Sequence, residues 1–187
     1  TVAVSTATQI SLSGTMDESL VFCTGTSITG TDCGTVAGNS ISFGSFSTTS
    51  TKSGTSVMAA STNGGYGYAI TVNGTTLTCT TCNGTQTISA LATQQTSSTG
   101  SEQFGINLKD NTTPNVGAEV SGSGTATATA NYGTADSFRF VTADSVASVA
   151  VPTNANTFTA SYIVNVAGTT EAGTYTATMT YIATATF

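Results

Sequence analysis

At residues 174–187 the chain reads Thr-Tyr-Thr-Ala-Thr-Met-Thr-Tyr-Ile-Ala-Thr-Ala-Thr-Phe. Tyr175, Ala177, Met179, Tyr181, Ala183, Ala185 and Phe187 alternate with threonine at nearly every other position. A period of two puts the apolar residues on one face of an extended strand and the threonines on the other. Fourteen residues at about 3.3 Å each would reach on the order of 45 Å. Such a strand is expected in the core of a tall antiparallel β-sandwich, with one face of each sheet buried.

The rest of the composition agrees. Of 187 residues, 43 are Thr, 23 are Ser and 20 are Gly. Val and Ile far outnumber Leu, and branched side chains suit a pleated surface better than a helix. Hydrophobic residues make up 38% of the chain and the mean hydropathy is +0.14, so the sequence is too apolar and too weakly charged for disorder. Alternation and turn residues predict strands over residues 2–12, 19–23, 40–47, 56–62, 66–73, 75–79, 85–91, 103–109, 125–132, 137–141, 145–149 and 157–166. Residues 93–102 and 111–124 read as long surface loops, and helical periodicity is absent. The expectation is an all-β fold: a single antiparallel β-sandwich of about ten to twelve strands, with residues 1–13 as an N-terminal strand and residues 14–187 as the sandwich domain.

Charge narrows the function. Three Lys+Arg stand against nine Asp+Glu, for a net charge of −6 and a pI near 4.1. No basic patch is available for nucleic acid or for anionic lipid. No apolar run approaches the roughly 20 residues of a membrane helix. There is no Met at position 1 and no charged or apolar leader, which suggests a mature, secreted chain. Packed-helix assemblies lack their heptads, so any assembly is expected to use strands.

The four cysteines form two local pairs, Cys23 with Cys33 and Cys79 with Cys82, and local disulfides are favoured over the two crossed connectivities. A four-thiolate zinc site would require the pairs to converge. Residues 77–88 read as a hairpin turning at Asn83-Gly84, not as the helix start that a thioredoxin-like Cys-x-x-Cys uses.

Catalysis is not expected. With no His or Trp, a Ser or Cys nucleophile lacks its usual base, and Lys52 and Lys109 sit in no recognisable motif. Glycoside hydrolysis needs two carboxylates, and Asp17, Glu18, Asp32, Glu102, Asp110, Glu119, Asp136, Asp144 and Glu171 are candidates, but most lie beside turn residues. No calcium loop is present, although Asp110-Asn111 follows Lys109. A Lys109 isopeptide crosslink is a minor alternative. No metal or cofactor is expected. Asn73, Asn83 and Asn111 each begin an Asn-x-Thr triplet and are candidate glycosylation acceptors.

Three stretches carry a resemblance: Ile-Ser-Phe-Gly-Ser-Phe at 41–46, Ala-Ser-Thr-Asn-Gly-Gly-Tyr-Gly-Tyr at 60–68, and Ala172-Gly-Thr-Tyr running into the terminal strand. In this order they resemble secreted bacterial β-sandwich surface proteins, notably spore coat protein U-like pilin subunits and WxL-type cell-surface domains. A Trp-x-Leu motif is absent, with Tyr181-Ile182-Ala183 in its place. The pilin side of the resemblance implies a homopolymer built by donor-strand exchange, in which one subunit's first strand completes the next subunit's sheet. Val2, Val4, Ile10 and Leu12 would be its apolar plugs, with Thr6 and Thr8 between them on the same face. The simpler reading makes residues 1–13 the first strand of their own domain. The expected function is a structural subunit of an extracellular bacterial filament whose partners are identical subunits. The alternative is a non-polymerising adhesin or surface-layer domain that binds glycan or protein through loops such as 93–102.

Overall fold

The computed structural model describes residues 1–4 and 7–186, so Ser5, Thr6 and Phe187 lie outside the described residues. Among these there is no helix. Fifteen strands follow in chain order: β1 (Leu20–Gly25), β2 (Ser27–Thr29), β3 (Asp32–Ala37), β4 (Lys52–Thr62), β5 (Tyr68–Gly74), β6 (Thr78–Cys79), β7 (Gln86–Thr87), β8 (Gln103–Asn107), β9 (Asn111–Thr112), β10 (Asn115–Val116), β11 (Ser121–Gly122), β12 (Thr127–Ala128), β13 (Asp144–Val149), β14 (Thr153–Asn165) and β15 (Met179–Ala185). All of their ladders are antiparallel. A larger sheet runs β1-β4-β14-β11, with β8 also on β14, and a second sheet runs β12-β13-β5-β15. β2-β3, β6-β7 and β9-β10 are separate two-stranded pairs.

β14 organises the larger sheet. Pro152 precedes it, and no Gly or Pro interrupts its thirteen residues, so every position can join a ladder. Phe158, Ala160, Tyr162 and Val164 alternate onto the main core, where they meet Met58 and Ala60 of β4. The core is shared with the second sheet, which contributes Tyr68, Ile70 and Val72 from β5, Val146 from β13 and Tyr181 from β15. Full burial of each large side chain contributes about 1.5–3 kcal/mol.

The opposite face of β14 holds the connections in place. Thr157 donates to the Gly30 carbonyl at the tip of the β2-β3 pair, Ser161 to the Lys109 carbonyl, and Asn165 to Ser97 Oγ and Gln103 Oε1. Between them Ile163 packs with Leu91 and Phe138 in a small second core. Buried polar side chains that keep their hydrogen bonds thus convert one strand face into a row of loop anchors.

Several sequence expectations change. There are more strands than ten to twelve, and many are only two or three residues long. Residues 40–47 form no strand. Ile41 and Phe43 are half-buried, and Ile41 lies over Gly54, so their alternation records packing on a neighbouring strand, not a ladder. Residues 137–141 carry only isolated bridges, from Phe138 to Gln95 and from Arg139 to Ile106. The supposed loop at 111–124 contains β9, β10 and β11. The hairpin of β2 and β3 was not anticipated, because most of its side chains are exposed and give no alternation signal. Among the described residues of the terminal segment only Met179–Ala185 joins a ladder, and it stands at the edge of its sheet. Thr176 instead forms a single bridge to Thr78.

Candidate functional site: an exposed segment and a groove

The first segment alternates in sequence, but its described residues, 1–4 and 7–13, form no strand, where a strand was expected over 2–12. Residues 1–4 and 7–19 are all exposed, and Val2, Val4, Ile10 and Leu12 are 90%, 80%, 83% and 93% exposed. Scattered surface apolar residues need no explanation, but four that share one phase of a period of two, in two pairs, are a pattern. Among the described residues, the segment's hydrogen bonds to the body lie where it ends. Asn63 Oδ1 accepts from the Ser19 N–H at 2.6 Å, Asn63 Nδ2 donates to the Asp17 carbonyl at 2.8 Å, and Thr62 Oγ1 donates to the Ser19 carbonyl at 2.7 Å.

From that anchor β1 runs six residues to Gly25, about 16 Å at strand rise. There a groove of about 1040 Å³ opens. One wall consists of residues 24–26 and 38–48, the other of residues 166–168 and 170–179, and Ser56, Leu77, Phe104, Tyr162 and Tyr181 lie at its base. Two unsatisfied sheet edges adjoin it. Among the described residues β15 pairs with β5 alone, so no ladder covers its outer edge. β1 stops opposite Val57, so among the described residues no ladder covers that side of β4 from Lys52 to Ser56. Strand edges of this kind are templates for an incoming strand.

The second wall is braced by the Cys79–Cys82 disulfide. Gly173 lies so close to both sulfurs that a side chain there would overlap them. The Asn83 N–H donates to Glu171 Oε1 at 2.5 Å, and Thr78 and Thr176 exchange backbone hydrogen bonds of 2.8 and 3.0 Å. Tyr175 donates to the Glu171 carbonyl at 2.9 Å, and burial, followed by the Glu102 and Glu171 charges, raises its pKa. Its ring centroid lies 6.2 Å from that of Phe46, where the two walls meet. The second disulfide, Cys23–Cys33, ties β3 to β1 beside the first wall.

At the base, three hydroxyls form a chain: Ser56 Oγ to Tyr162 Oη at 2.8 Å, and Tyr162 Oη to Tyr181 Oη at 2.7 Å. Burial raises the Tyr162 pKa and raises that of Tyr181 well above the usual tyrosine value. The phenols therefore stay protonated at any physiological pH.

The other singled-out residues serve structure. Asp144 Oδ2 accepts from Arg139 at 2.9 Å and from the Tyr132 hydroxyl at 3.0 Å, and burial followed by this hydrogen bond pushes Tyr132 up to about 12. Asp136 accepts from the Thr113 and Thr112 N–H groups and from the Thr112 hydroxyl. The Thr113 bond contributes most to holding its pKa below the ordinary value. Asp32 accepts from Gly34 N–H and Glu102 from the Thr170 hydroxyl, so these acids are occupied in turns and pairs. No group of three metal-ligating residues occurs among the described residues. The Lys109 ammonium lies 2.5 Å from Glu119, while the Asn111 amide bonds to Asn107 and to the Lys109 and Val116 carbonyls. Of the three candidate glycosylation acceptors, Asn111 is buried with its amide nitrogen engaged in hydrogen bonds, Asn83 is exposed and Asn73 is half-buried. Residues 93–102 are held to the body through Gln95, Ser97 and Ser98.

Sequence reasoning found both disulfides and singled out residues 2–12, but as a strand. It missed the groove base, because Ser56 and Tyr162 are 106 residues apart and nothing local marks either one. No protein-family model, no curated protein and no solved structure matches this chain. The all-β fold and two disulfides are compatible with a secreted protein, and no helix among the described residues is long and apolar enough to cross a membrane.

Proposed function

We propose that the chain is a structural subunit of an extracellular filament, polymerising head to tail by donor-strand exchange. In this reading the two main sheets are the halves of one incomplete β-sandwich, residues 14–187, and residues 2–12 of another copy complete it along the groove beside β15. The observation that carries the reading is the coexistence, in one chain, of an exposed segment of alternating sequence and an open groove flanked by unpaired edges. Donation of residues 2–12 to the groove of a neighbouring copy makes each contact head to tail. Contacts of that kind between identical subunits do not close on themselves and so give open fibres.

The energetics are adequate. Burying Val2, Val4, Ile10 and Leu12 at about 1.5–3 kcal/mol each gives roughly 6–12 kcal/mol before any backbone pairing. Ordering the segment and associating two bodies oppose this. The short motifs resembling coat protein U-like pilins point in the same direction, as do the cysteine pairs.

Electron microscopy of the purified chain, intact and with residues 1–13 deleted, tests the proposal. Fibres from the intact chain alone are expected. Dispersed, folded particles from both would overturn it, and binding to a glycan array would then be measured for the adhesin reading.

A further inference from the structure

Glycine follows asparagine at three places in the chain, Asn63-Gly64, Asn73-Gly74 and Asn83-Gly84. A glycine in that position has no side chain to keep its backbone nitrogen away from the asparagine Cγ. The three pairs stand differently in the fold. Asn63 Oδ1 accepts from the Ser19 N–H and its Nδ2 donates to the Asp17 carbonyl, while the Gly64 N–H donates to Thr62 Oγ1 at 3.0 Å. Asn73 and Gly74 are held extended in β5 opposite Thr180 and Met179, and the Gly74 N–H donates to Thr142 Oγ1 at 3.2 Å.

Asn83-Gly84 has none of these restraints. Both residues are exposed, at the tip of the β6-β7 hairpin. Among the described residues the hydrogen bonds of the pair are those of the Asn83 main chain, whose N–H donates to Glu171 Oε1 at 2.5 Å and whose carbonyl accepts from Gln86 Nε2 at 3.1 Å. The Asn83 side-chain amide and the Gly84 N–H form none. A methyl group placed on Gly84 would meet no atom within 4 Å, so the space around the nitrogen is open. The nitrogen of Gly84 and the Cγ of Asn83 are therefore solvated and free to turn towards each other.

We propose that Asn83 is a self-modification site, at which the folded chain converts asparagine to aspartate and isoaspartate while Asn63 and Asn73 are protected. The Gly84 nitrogen bonds to Asn83 Cγ, the bond from Cγ to the side-chain nitrogen breaks, and the Gly84 proton leaves with that nitrogen as ammonia. Water then opens the cyclic imide at either carbonyl. The balance is one water taken up and one ammonia released, with no oxidant or reductant. The new carboxyl group, with an ordinary pKa of about 4, is ionised at neutral pH. It sits on the residue whose N–H holds the Glu171 carboxylate, and two like charges so close disfavour that hydrogen bond, so conversion loosens the second wall of the groove. The site needs no second copy of the chain and stands apart from the strand-donation reading. It consumes the same amide nitrogen that a glycan on Asn83 would use.

The test keeps the full-length chain in mildly alkaline buffer and follows aspartate and isoaspartate at positions 63, 73 and 83 of the same sample by mass-spectrometric peptide mapping. Each hydrogen bond that must open first slows ring closure by up to roughly tenfold, so position 83 should convert more than about tenfold faster than the other two. In guanidinium, where the restraints are gone, the three rates should converge. Gly84→Ala should slow conversion at 83 alone. Equal rates in the folded chain, or an intact Asn83, overturn the site, and rates that stay apart in guanidinium overturn the structural basis of the selectivity. For the wall, amide hydrogen exchange over residues 171–178 is compared between the unconverted chain and Asn83→Asp. Faster exchange in the variant is expected, and unchanged exchange overturns the effect on Glu171.

Discussion

Leu12 is 93% exposed in the subunit, so its removal separates assembly from folding. Leu12→Ala deletes the larger part of a side chain whose full burial is worth about 1.5–3 kcal/mol, and about 2 kcal/mol is a reasonable share of that for the lost atoms. Since 1.4 kcal/mol is a factor of ten, the variant's segment should bind a neighbouring groove roughly thirtyfold more weakly. The subunit itself has nothing to lose. A surface substitution away from the core changes stability by no more than about 0.5 kcal/mol, so its melting temperature should stay within a degree or two. The assay pairs differential scanning calorimetry of dispersed subunits with the critical concentration for fibre growth by light scattering. The reasoning predicts an unchanged melt and a critical concentration raised by one to two orders of magnitude. A lowered melting temperature would mean that residues 1–13 pack within their own domain. An unchanged critical concentration would mean that Leu12 plugs nothing.

Two further outcomes follow from the brace and from the buried phenols. Gly173→Ala forces a methyl group onto the Cys79–Cys82 sulfurs and displaces the second groove wall, so fibre growth should slow by more than the accompanying small drop in subunit stability explains. Growth at the wild-type rate would show that this wall takes no part. Burial raises Tyr68 to about 12, and burial together with Asp144 does the same for Tyr132. An acid whose folded pKa is raised binds its proton more tightly when folded, so the stability it contributes is complete below pH 10 and declines as pH climbs from 10 towards 12. Tyrosinate absorbance and loss of the fold should therefore rise together in an alkaline titration, and extensive ionisation of a still-folded chain would contradict the burial of these rings.

Legibility in the sequence tracked how local each signal was. The alternation at Tyr181 and Ala183, the turn at Asn83-Gly84 and the two cysteine pairs are decided by neighbours within a dozen residues, and each is found in the structure. The segment 40–47 misled because period-two alternation reports which side chains are covered and is silent on what covers them. Ile41 and Phe43 are half-buried without forming a ladder, and Gly44, at φ 64°, turns the chain away from strand geometry. The edge position of β15 was hidden for a related reason. An edge strand and a central strand bury the same face of a sheet, and only their hydrogen-bonding neighbours tell them apart.

The distribution of charge gives the assembly reading a further physical basis. Subunits of net charge −6 repel one another, and at physiological ionic strength this repulsion extends over a screening length of about 8 Å. A contact made through charged side chains would need cations, and the chain has three in all, of which Lys109 and Arg139 are already paired within the subunit. The first acidic residue is Asp17, so residues 2–16 carry no charged side chain. Of the residues around the groove only Glu171 is acidic, and its carboxylate accepts the Asn83 N–H. An uncharged strand placed in a nearly uncharged groove loses little solvation energy and keeps the acidic surfaces apart. In the proposed assembly, backbone pairing and apolar burial, which do not depend on charge, are then left to hold neighbouring copies together.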